Sequence, residues 1–260
     1  MTEIVAVANQ KGGVAKTTTV HSLGAALAER GRRVLLVDLD PQACLTFSTG
    51  VDPDSLEVSL YEVLIGKADV TEARRALDDV HLLPSSIDMA GAEVHLLTRP
   101  GREYALGRAL DPIRSDYDTV LIDCPPSLGI LTINGLTAAG GVLIPLQCET
   151  LSHRGVGQLM ETIADVRSFT NPGLEVIGVI ATMFDPRTRL AQDTLAAVGR
   201  TYGLPVLEPA VPKSVRVAEA PGRGSSVLRH APRSPSAEAY RDLAGVLDRD
   251  GGPSRREGAR

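Results

Sequence analysis

Residues 4–18 read Ile-Val-Ala-Val-Ala-Asn-Gln-Lys-Gly-Gly-Val-Ala-Lys-Thr-Thr, and the reading of the fold turns on them. Ile4 to Ala8 is a short apolar run that stops at Asn9-Gln10-Lys11-Gly12-Gly13. From Thr17 to Arg30 the pattern becomes helical, with Val20, Leu23, Ala26 and Leu27 on one face, and Gly31 supplies the stop. Val34 to Val37 is a second apolar run, closing at Asp38-Leu39-Asp40-Pro41. Strand, loop, helix and strand in this succession make a βαβ unit, which predicts a parallel sheet.

The same rhythm returns downstream. Thr119 to Ile122 is an all-apolar strand ending at Asp123-Cys124-Pro125-Pro126; Gly141 to Leu146 and Leu174 to Ala181 are two more. Helical patterns at 130–139 and 153–168 lie between them. Continuous apolar strands are buried on both faces, so helices are expected on both sides of the sheet. Residues 52–113 are less regular, with short helical stretches at Ser59 to Ile65 and Glu103 to Ile113, and read as an insertion before the sheet resumes. The C-terminal third is rich in proline, and Ser236 has the position of an N-cap for a last helix, Ala237 to Asp248. The expected organisation is a single domain over 1–249, followed by a polar tail, 250–260, without apolar periodicity and with the composition of a disordered segment.

Composition narrows the function classes. The chain has 260 residues, a formal net charge of −5, and aromatics at only 3% with no Trp, which argues against a base-stacking platform for single-stranded nucleic acid. Cys44, Cys124 and Cys148 form no C-x-x-C pair and no disulfide framework, and read as small buried hydrophobes of a reducing compartment. The first residues lack a basic n-region, and no apolar run approaches the ~20 residues that span a bilayer, so a cytoplasmic protein is expected. The five histidines are scattered and receive no role. The acidic total conceals an asymmetry: residues 1–180 hold 14 Lys+Arg against 23 Asp+Glu, whereas residues 181–260 hold 13 against 9.

Between the first strand and first helix, Lys11-Gly12-Gly13-Val14-Ala15-Lys16-Thr17-Thr18 has the composition of a phosphate-cradling loop. Glycines let backbone N–H groups converge on phosphate oxygens, and the helix N-terminus adds its positive end. Lys16 is placed to reach the β- and γ-phosphates, and Thr17 to offer its hydroxyl to Mg²⁺. The usual G-x-x-x-x-G-K-[ST] pattern fails at Gln10 and Ala15. Ligands of parallel sheets bind outside the carboxyl ends of the strands, so Asp38, Asp40 and Asp123 can all lie near this loop. Asp123 fits a Mg²⁺-holding role, and Asp38 a supporting one, toward the metal or the loop.

The variant K-G-G-x-x-K-[ST] resembles the deviant Walker A motif of the ParA/MinD ATPases, which implies a P-loop NTPase-like α/β fold. Asn9-Gln10-Lys11, Asp38-Leu39-Asp40-Pro41-Gln42, Asp123-Cys124-Pro125-Pro126-Ser127, Leu131-Thr132-Ile133-Asn134, Pro145-Leu146-Gln147-Cys148-Glu149 and Val215-Arg216-Val217-Ala218-Glu219-Ala220 resemble the chromosomal, Soj-like branch, over about residues 1–248. The resemblance implies a Mg²⁺-dependent ATPase of low turnover that cycles between ATP and ADP. It gives Lys11 a reach across a dimer interface to the partner's nucleotide, and Asp40 the orienting of the attacking water. Pro212-Lys213-Ser214 resembles the segment covering the adenine. It further implies a homodimer around two ATP molecules, non-specific binding of double-stranded DNA by that dimer, a ParB-like activator, chromosome or plasmid partitioning, and nucleoid association. Arg187 and Arg216 match phosphate-binding arginines of Soj-like proteins; Lys213 and Arg223 belong to the same basic portion. The ordinary alternative for these arginines is a solvated face or a local ion pair.

Other readings compete. A ParA-like ATPase can position cargo other than DNA. A MinD-like membrane ATPase calls for a basic amphipathic C-terminal helix, whereas the last helix here is followed by Gly-Gly-Pro and a polar tail, so no stable membrane association is expected. An iron-protein type calls for glycine-flanked cluster cysteines, unlike Cys124 before Pro-Pro or Cys148 in Gln-Cys-Glu. A small-molecule ligase on the same fold has no need of Lys11 or of the Arg187/Arg216 pair.

Overall fold

The computed structural model describes residues 2–149 and 152–250. The first βαβ unit is β1 (Glu3–Val7), α1 (Lys16–Glu29) and β2 (Val34–Asp38). Then follow α2 (Cys44–Ser48), α3 (Leu60–Leu64), α4 (Val70–Ala73), β3 (Arg75–Ala76), β4 (His81–Leu83), α5 (Met89–Leu97) and α6 (Ala105–Leu110). The sheet continues with β5 (Thr119–Asp123), α7 (Ile130–Ala138), β6 (Gly141–Gln147), α8 (Ser152–Phe169), β7 (Glu175–Thr182), α9 (Arg189–Tyr202) and β8 (Val206–Leu207). The chain closes with α10 (Val215–Glu219), α11 (Val227–His230) and α12 (Pro235–Asp250).

The eight strands lie in the order β3-β4-β2-β5-β1-β6-β7-β8, and every pair is parallel except β3 with β4. Each central strand alternates its side chains between two apolar layers. Leu35, Val37, Val120, Ile122, Val142 and Ile144 face one layer, with Leu96, Leu106, Leu131 and Leu159 of α5 to α8. Val5, Val7, Leu36, Leu121 and Leu143 face the other, with Val20 and Leu23 of α1 and Tyr240 and Leu243 of α12. Gly24 lets α1 sit close on the sheet, because a Cβ there would come within 2.6 Å of Leu36 Cδ2. The chain leaves β1 toward β2 on one side and later takes up β6 on the other. The carboxyl ends of β1, β2, β5 and β7 therefore open on one crevice, where such sheets bind ligands.

The α/β fold with a mostly parallel sheet and helices on both faces is as expected, and the differences lie at its margins. Residues 52–113 do more than interrupt: they add β3 and β4 to the edge beside β2. Strands of two and three residues leave no periodicity to read. The stretch Glu103 to Ile113 is broken into a 3₁₀ turn, Arg102–Tyr104, and the shorter α6. Ser236 is not the N-cap of the last helix. Ser234 fills that place, accepting from Ala237 N at 3.3 Å, while Ser236 is buried and donates to Pro212 O at 3.3 Å. The boundary expected at 249/250 falls inside α12, and 251–260 lie outside the described residues. Among the described residues no helix is long and apolar enough to cross a membrane. Cys124 is buried and Cys148 half-buried, but Cys44 is exposed, contrary to its reading as a buried hydrophobe.

Candidate functional site

Residues 9–15 leave β1 and turn into α1 without any side-chain N-cap. Ala15 holds the cap position in the left-handed region, φ +66°, after Gly13 at φ +74°. The first turn of α1 also has no acidic residue, so its N–H groups and positive end stay available to an anion. The loop is pinned from both sides: Asn9 Nδ2 donates to Pro145 O at 2.7 Å and its Oδ1 accepts from Lys11 N at 3.0 Å, while Thr182 Oγ1 at the end of β7 donates to Val14 O at 3.0 Å.

Lys16 is buried, and its Nζ donates to Lys11 O at 3.3 Å across the loop. Burial pulls the ammonium below its ordinary range, opposed by the attraction of Asp123. Asp38 and Asp123 are register partners on β2 and β5, so two buried carboxylates stand side by side. Thr17 Oγ1 donates to Asp123 Oδ2 at 2.7 Å; Asp123 Oδ1 is sealed from solvent without a partner. Burial, and then the neighbouring Asp38 charge, holds Asp123 well above the usual carboxylate range. Burial likewise pushes Asp38 up to about 7. Hard divalent cations take oxygen ligands, so a hydroxyl beside an orphaned carboxylate oxygen fits Mg²⁺ and would relieve the crowded negative charge.

Asp38 is committed to its own loop. Oδ2 accepts from Thr46 N and Thr46 Oγ1, both at 2.8 Å, and Oδ1 accepts from Asp40 N at 3.1 Å. Of the two roles expected for it, metal or loop, these three bonds, two of them to α2, are those of a brace for the segment after β2. Asp40 follows on the same loop, accepts from Gln42 N at 2.9 Å, and lines the cleft with Lys16 and Thr17.

The cleft has a volume of about 710 Å³. It gathers Gly12, Gly13, Lys16, Thr17 and Thr18 from the phosphate loop and Pro212, Lys213 and Ser214 from the segment before α10. Ser214 caps α10 by accepting from Arg216 N at 3.2 Å. Phe184 N donates to Val211 O at 3.0 Å, which together with Ser236 fixes that wall. Sequence reading assigned no site role to His21, Cys44, Phe47 and Met183, which also line it. His21 carried one usable signal, its place one turn after Thr17–Thr18 on the same helix. Met183, φ +49°, is a non-glycine residue in the left-handed region on the cleft wall, as Ala15 is.

Lys11 pairs with Glu149 of its own chain, and both side chains are partly open to solvent. The basic residues are held differently from the loop. Arg187 Nε and Nη2 donate to the two oxygens of Asp185, both at 3.0 Å, with the Arg187 side chain 88% exposed. Arg216 donates to Glu219 at 3.0 Å, and Arg223 stands in the 3₁₀ turn after α10, beside Arg229 and His230. The local ion pairs weighed as the ordinary alternative are thus present for Arg187 and Arg216.

Three comparisons bear on this arrangement. The family model described as an AAA domain matches residues 2–176. The sporulation initiation inhibitor protein Soj of Bacillus subtilis is 43% identical over 94% of this chain and 97% of that protein, and the chromosome partitioning protein ParA of Caulobacter vibrioides is 43% identical over 93% and 92%. A Mycobacterium smegmatis crystal structure, named as cobyrinic acid a,c-diamide synthase with bound ADP and magnesium, superposes with a TM-score of 0.86 at 55% identity, covering 96% of this chain and 95% of that one.

Proposed function

The chain belongs to the ParA/MinD family, on its Soj-like side, and from that membership we propose that it is an ATP-driven partitioning switch. One observation carries the ATPase reading: Thr17 and the half-unpartnered Asp123 face each other beside buried Lys16, at the mouth of an uncapped helix N-terminus. The α1 N–H groups and Lys16 bind and orient the phosphates. Thr17 and Asp123 hold Mg²⁺, which when bound neutralises charge on the β- and γ-phosphates. Asp40, at the cleft edge on a loop braced by Asp38 and Thr46, orients the attacking water. Lys11 leaves Glu149 and reaches the partner's nucleotide when two copies close face to face. Pro212, Lys213 and Ser214 cover the base.

In the ATP-bound dimer Arg187, Lys213, Arg216 and Arg223 hold double-stranded DNA through its phosphates, without sequence preference. A ParB-like activator triggers hydrolysis, and the ADP form lets go. That cycle places the protein on the nucleoid and supports segregation of a chromosome or plasmid. The names of the Bacillus and Caulobacter relatives and the basic C-terminal portion support this reading.

The test is DNA retention by the purified chain on unrelated duplexes at two salt concentrations, with ATP, ADP or no nucleotide. ATP-dependent, salt-sensitive and sequence-indifferent binding is expected, and Asp40→Ala should keep the ATP state while losing turnover. No binding in any nucleotide state would sink the DNA switch. A second reading, ATP-dependent amidation of a corrinoid carboxylate, follows from the name of the Mycobacterium smegmatis structure. ATP turnover that requires cobyrinic acid and ammonia or glutamine would favour it. Burial pushes the thiols of Cys124 and Cys148 up, and partial desolvation with the neighbouring Asp40 charge does the same to the exposed Cys44, so none of them has the activated environment of a glutamine-cleaving nucleophile.

A further inference from the structure

Two main chains meet at Gly50 and Gly224. Gly50 follows the last turn of α2 with φ +86°, and Gly224 follows the 3₁₀ turn Pro221–Arg223 with φ +58°. A Cβ at Gly224 would stand 2.7 Å from Gly50 Cα and 3.1 Å from Gly50 N. A contact between side chains yields to a change of rotamer. A contact between two main chains does not, so a displacement on one side is passed to the other.

Each glycine ends a hydrogen-bonded run that begins at a residue of the proposed function. On one side Ala43 N donates to Asp40 O and Phe47 N to Ala43 O, both at 2.9 Å, and Gly50 N donates to Phe47 O at 3.0 Å. Asp40, α2 and Gly50 are therefore one unit, tied by Thr46 to Asp38 at the end of β2. On the other side Ala220 N donates to Arg216 O at 3.2 Å, while Arg223 N donates to Ala220 O and Gly224 N to Pro221 O, both at 3.0 Å. α10, Arg223 and Gly224 are a second unit. The second unit also lines the cleft, through Ala220 and Pro221. These follow in the chain the Pro212–Ser214 segment given to the base, and the base is common to ATP and ADP. The γ-phosphate, which is not, belongs to the side of Asp40.

From these contacts we propose that Gly50 and Gly224 relay the nucleotide state to the DNA surface: the Asp40 loop, drawn to the γ-phosphate, carries α2 with it, and α2 sets the turn that bears Arg223. The relay rests on the partitioning-switch reading and supplies the link between its two sites.

The experiment measures, by anisotropy, the affinity of the full chain for an unrelated DNA duplex with a non-hydrolysable ATP analogue and with ADP. Wild type should bind at least about tenfold more tightly with the analogue, within the usual range of coupling between two sites. Gly224→Ala should cut that ratio to about threefold or less, with the affinity for each nucleotide kept within about twofold. Gly224→Asn should do the same, because asparagine tolerates left-handed backbone and keeps the turn while still bringing a Cβ against Gly50. Gly222→Ala, in the same turn but with nothing within 4 Å of its added Cβ, should keep the wild-type ratio. A wild-type ratio in both Gly224 variants, an equal loss of DNA affinity in both nucleotide states, or the same fall in Gly222→Ala overturns the relay alone. Wild-type DNA binding that ignores the nucleotide overturns the partitioning-switch reading, and the relay with it.

Discussion

Lys16 and Arg187 are both cations directed, on the proposed function, at phosphate, yet the protein holds them in opposite ways. Lys16 is buried, with its ammonium pulled down by desolvation and steadied by Asp123, at the end of a sheet whose core fixes every neighbour. Arg187 is 88% exposed and is held by Asp185, two residues away. The first arrangement stores electrostatic tension that a metal and a polyphosphate relieve. The second stores almost none, since an exposed ion pair in water gains little and exchanges its partner readily. A site that must recognise one small ligand is built into the core; a surface that must grip and release a polymer of phosphates is left loose.

The largest predicted effect breaks the buried side. Lys16→Ala should lower nucleotide affinity about 1000-fold, the roughly 4 kcal/mol scale of losing one partner from a desolvated charge pair. Calorimetry that finds unchanged affinity would remove Lys16 from the phosphate site and leave the two cations no longer different in kind.

Next in size is a pH response confined to the interior. The native His21 value of about 4 lies below the ordinary 6.5, so between these values the unfolded chain binds more protons. Its contribution is therefore complete above pH 6.5 and is lost as pH falls toward 4, by about 3 kcal/mol at 1.36 kcal/mol per unit. Asp38 works in the other sense. With a native value of about 7 against 3.8, it keeps its proton in the fold and costs stability as pH rises through that window. The two offset each other in the wild type, so the readout is the difference in unfolding free energy between wild type and His21→Leu across pH 4–7. A difference that does not vary with pH would refute the buried neutral imidazole. Arg187→Ala and Arg216→Ala, which remove exposed side chains far from this interior, should leave the curve in place.

Those arginine substitutions act where the interior variants do not. Each should weaken ATP-dependent DNA retention about fivefold and lower the slope of log affinity against log salt by about one, while nucleotide affinity and melting temperature stay unchanged. Anisotropy titrations at several salt concentrations measure the slope. An unaltered slope in both variants would mean that these arginines serve only Asp185 and Glu219.

The same contrast sets how much was legible in the sequence. β1, α1, β2, β5 and β6 were readable because long apolar runs and a helical period leave a signal that packing then uses. Asp123 and the phosphate loop were readable because their residue types sit at strand ends. β3, β4 and β8 were not, since two or three residues carry no period. Ser236 misled because a serine before an apolar run looks the same whether it caps the helix or is buried against Pro212 O; the distinction depends on a segment 24 residues away. His21 was silent for a similar reason: its partner Ser48 is 27 residues distant, and only the fold brings the two together at the cleft. The division of labour in Asp38, all three bonds to its own loop, likewise needed coordinates.

The smallest predicted effect concerns Ala15, where a usual glycine is missing from the buried region itself. A left-handed φ of +66° costs an L-residue about 1–2 kcal/mol, whereas glycine adopts it freely. Glycine also loses more backbone entropy on folding, about 0.4–1 kcal/mol against alanine. The first term outweighs the second, so Ala15→Gly should stabilise the protein by about 0.5–1 kcal/mol and raise the melting temperature by about 1–4 °C. Nucleotide affinity should stay within about twofold, because the loop N–H groups are already aimed by Gly13 and by the bond from Thr182 to Val14 O. A melting temperature that falls would show that the Ala15 methyl makes contacts worth more than its strain. The loop would then be as unstrained as the exposed Arg187 turn, and the contrast between a tensioned interior and a slack surface would not extend to its backbone.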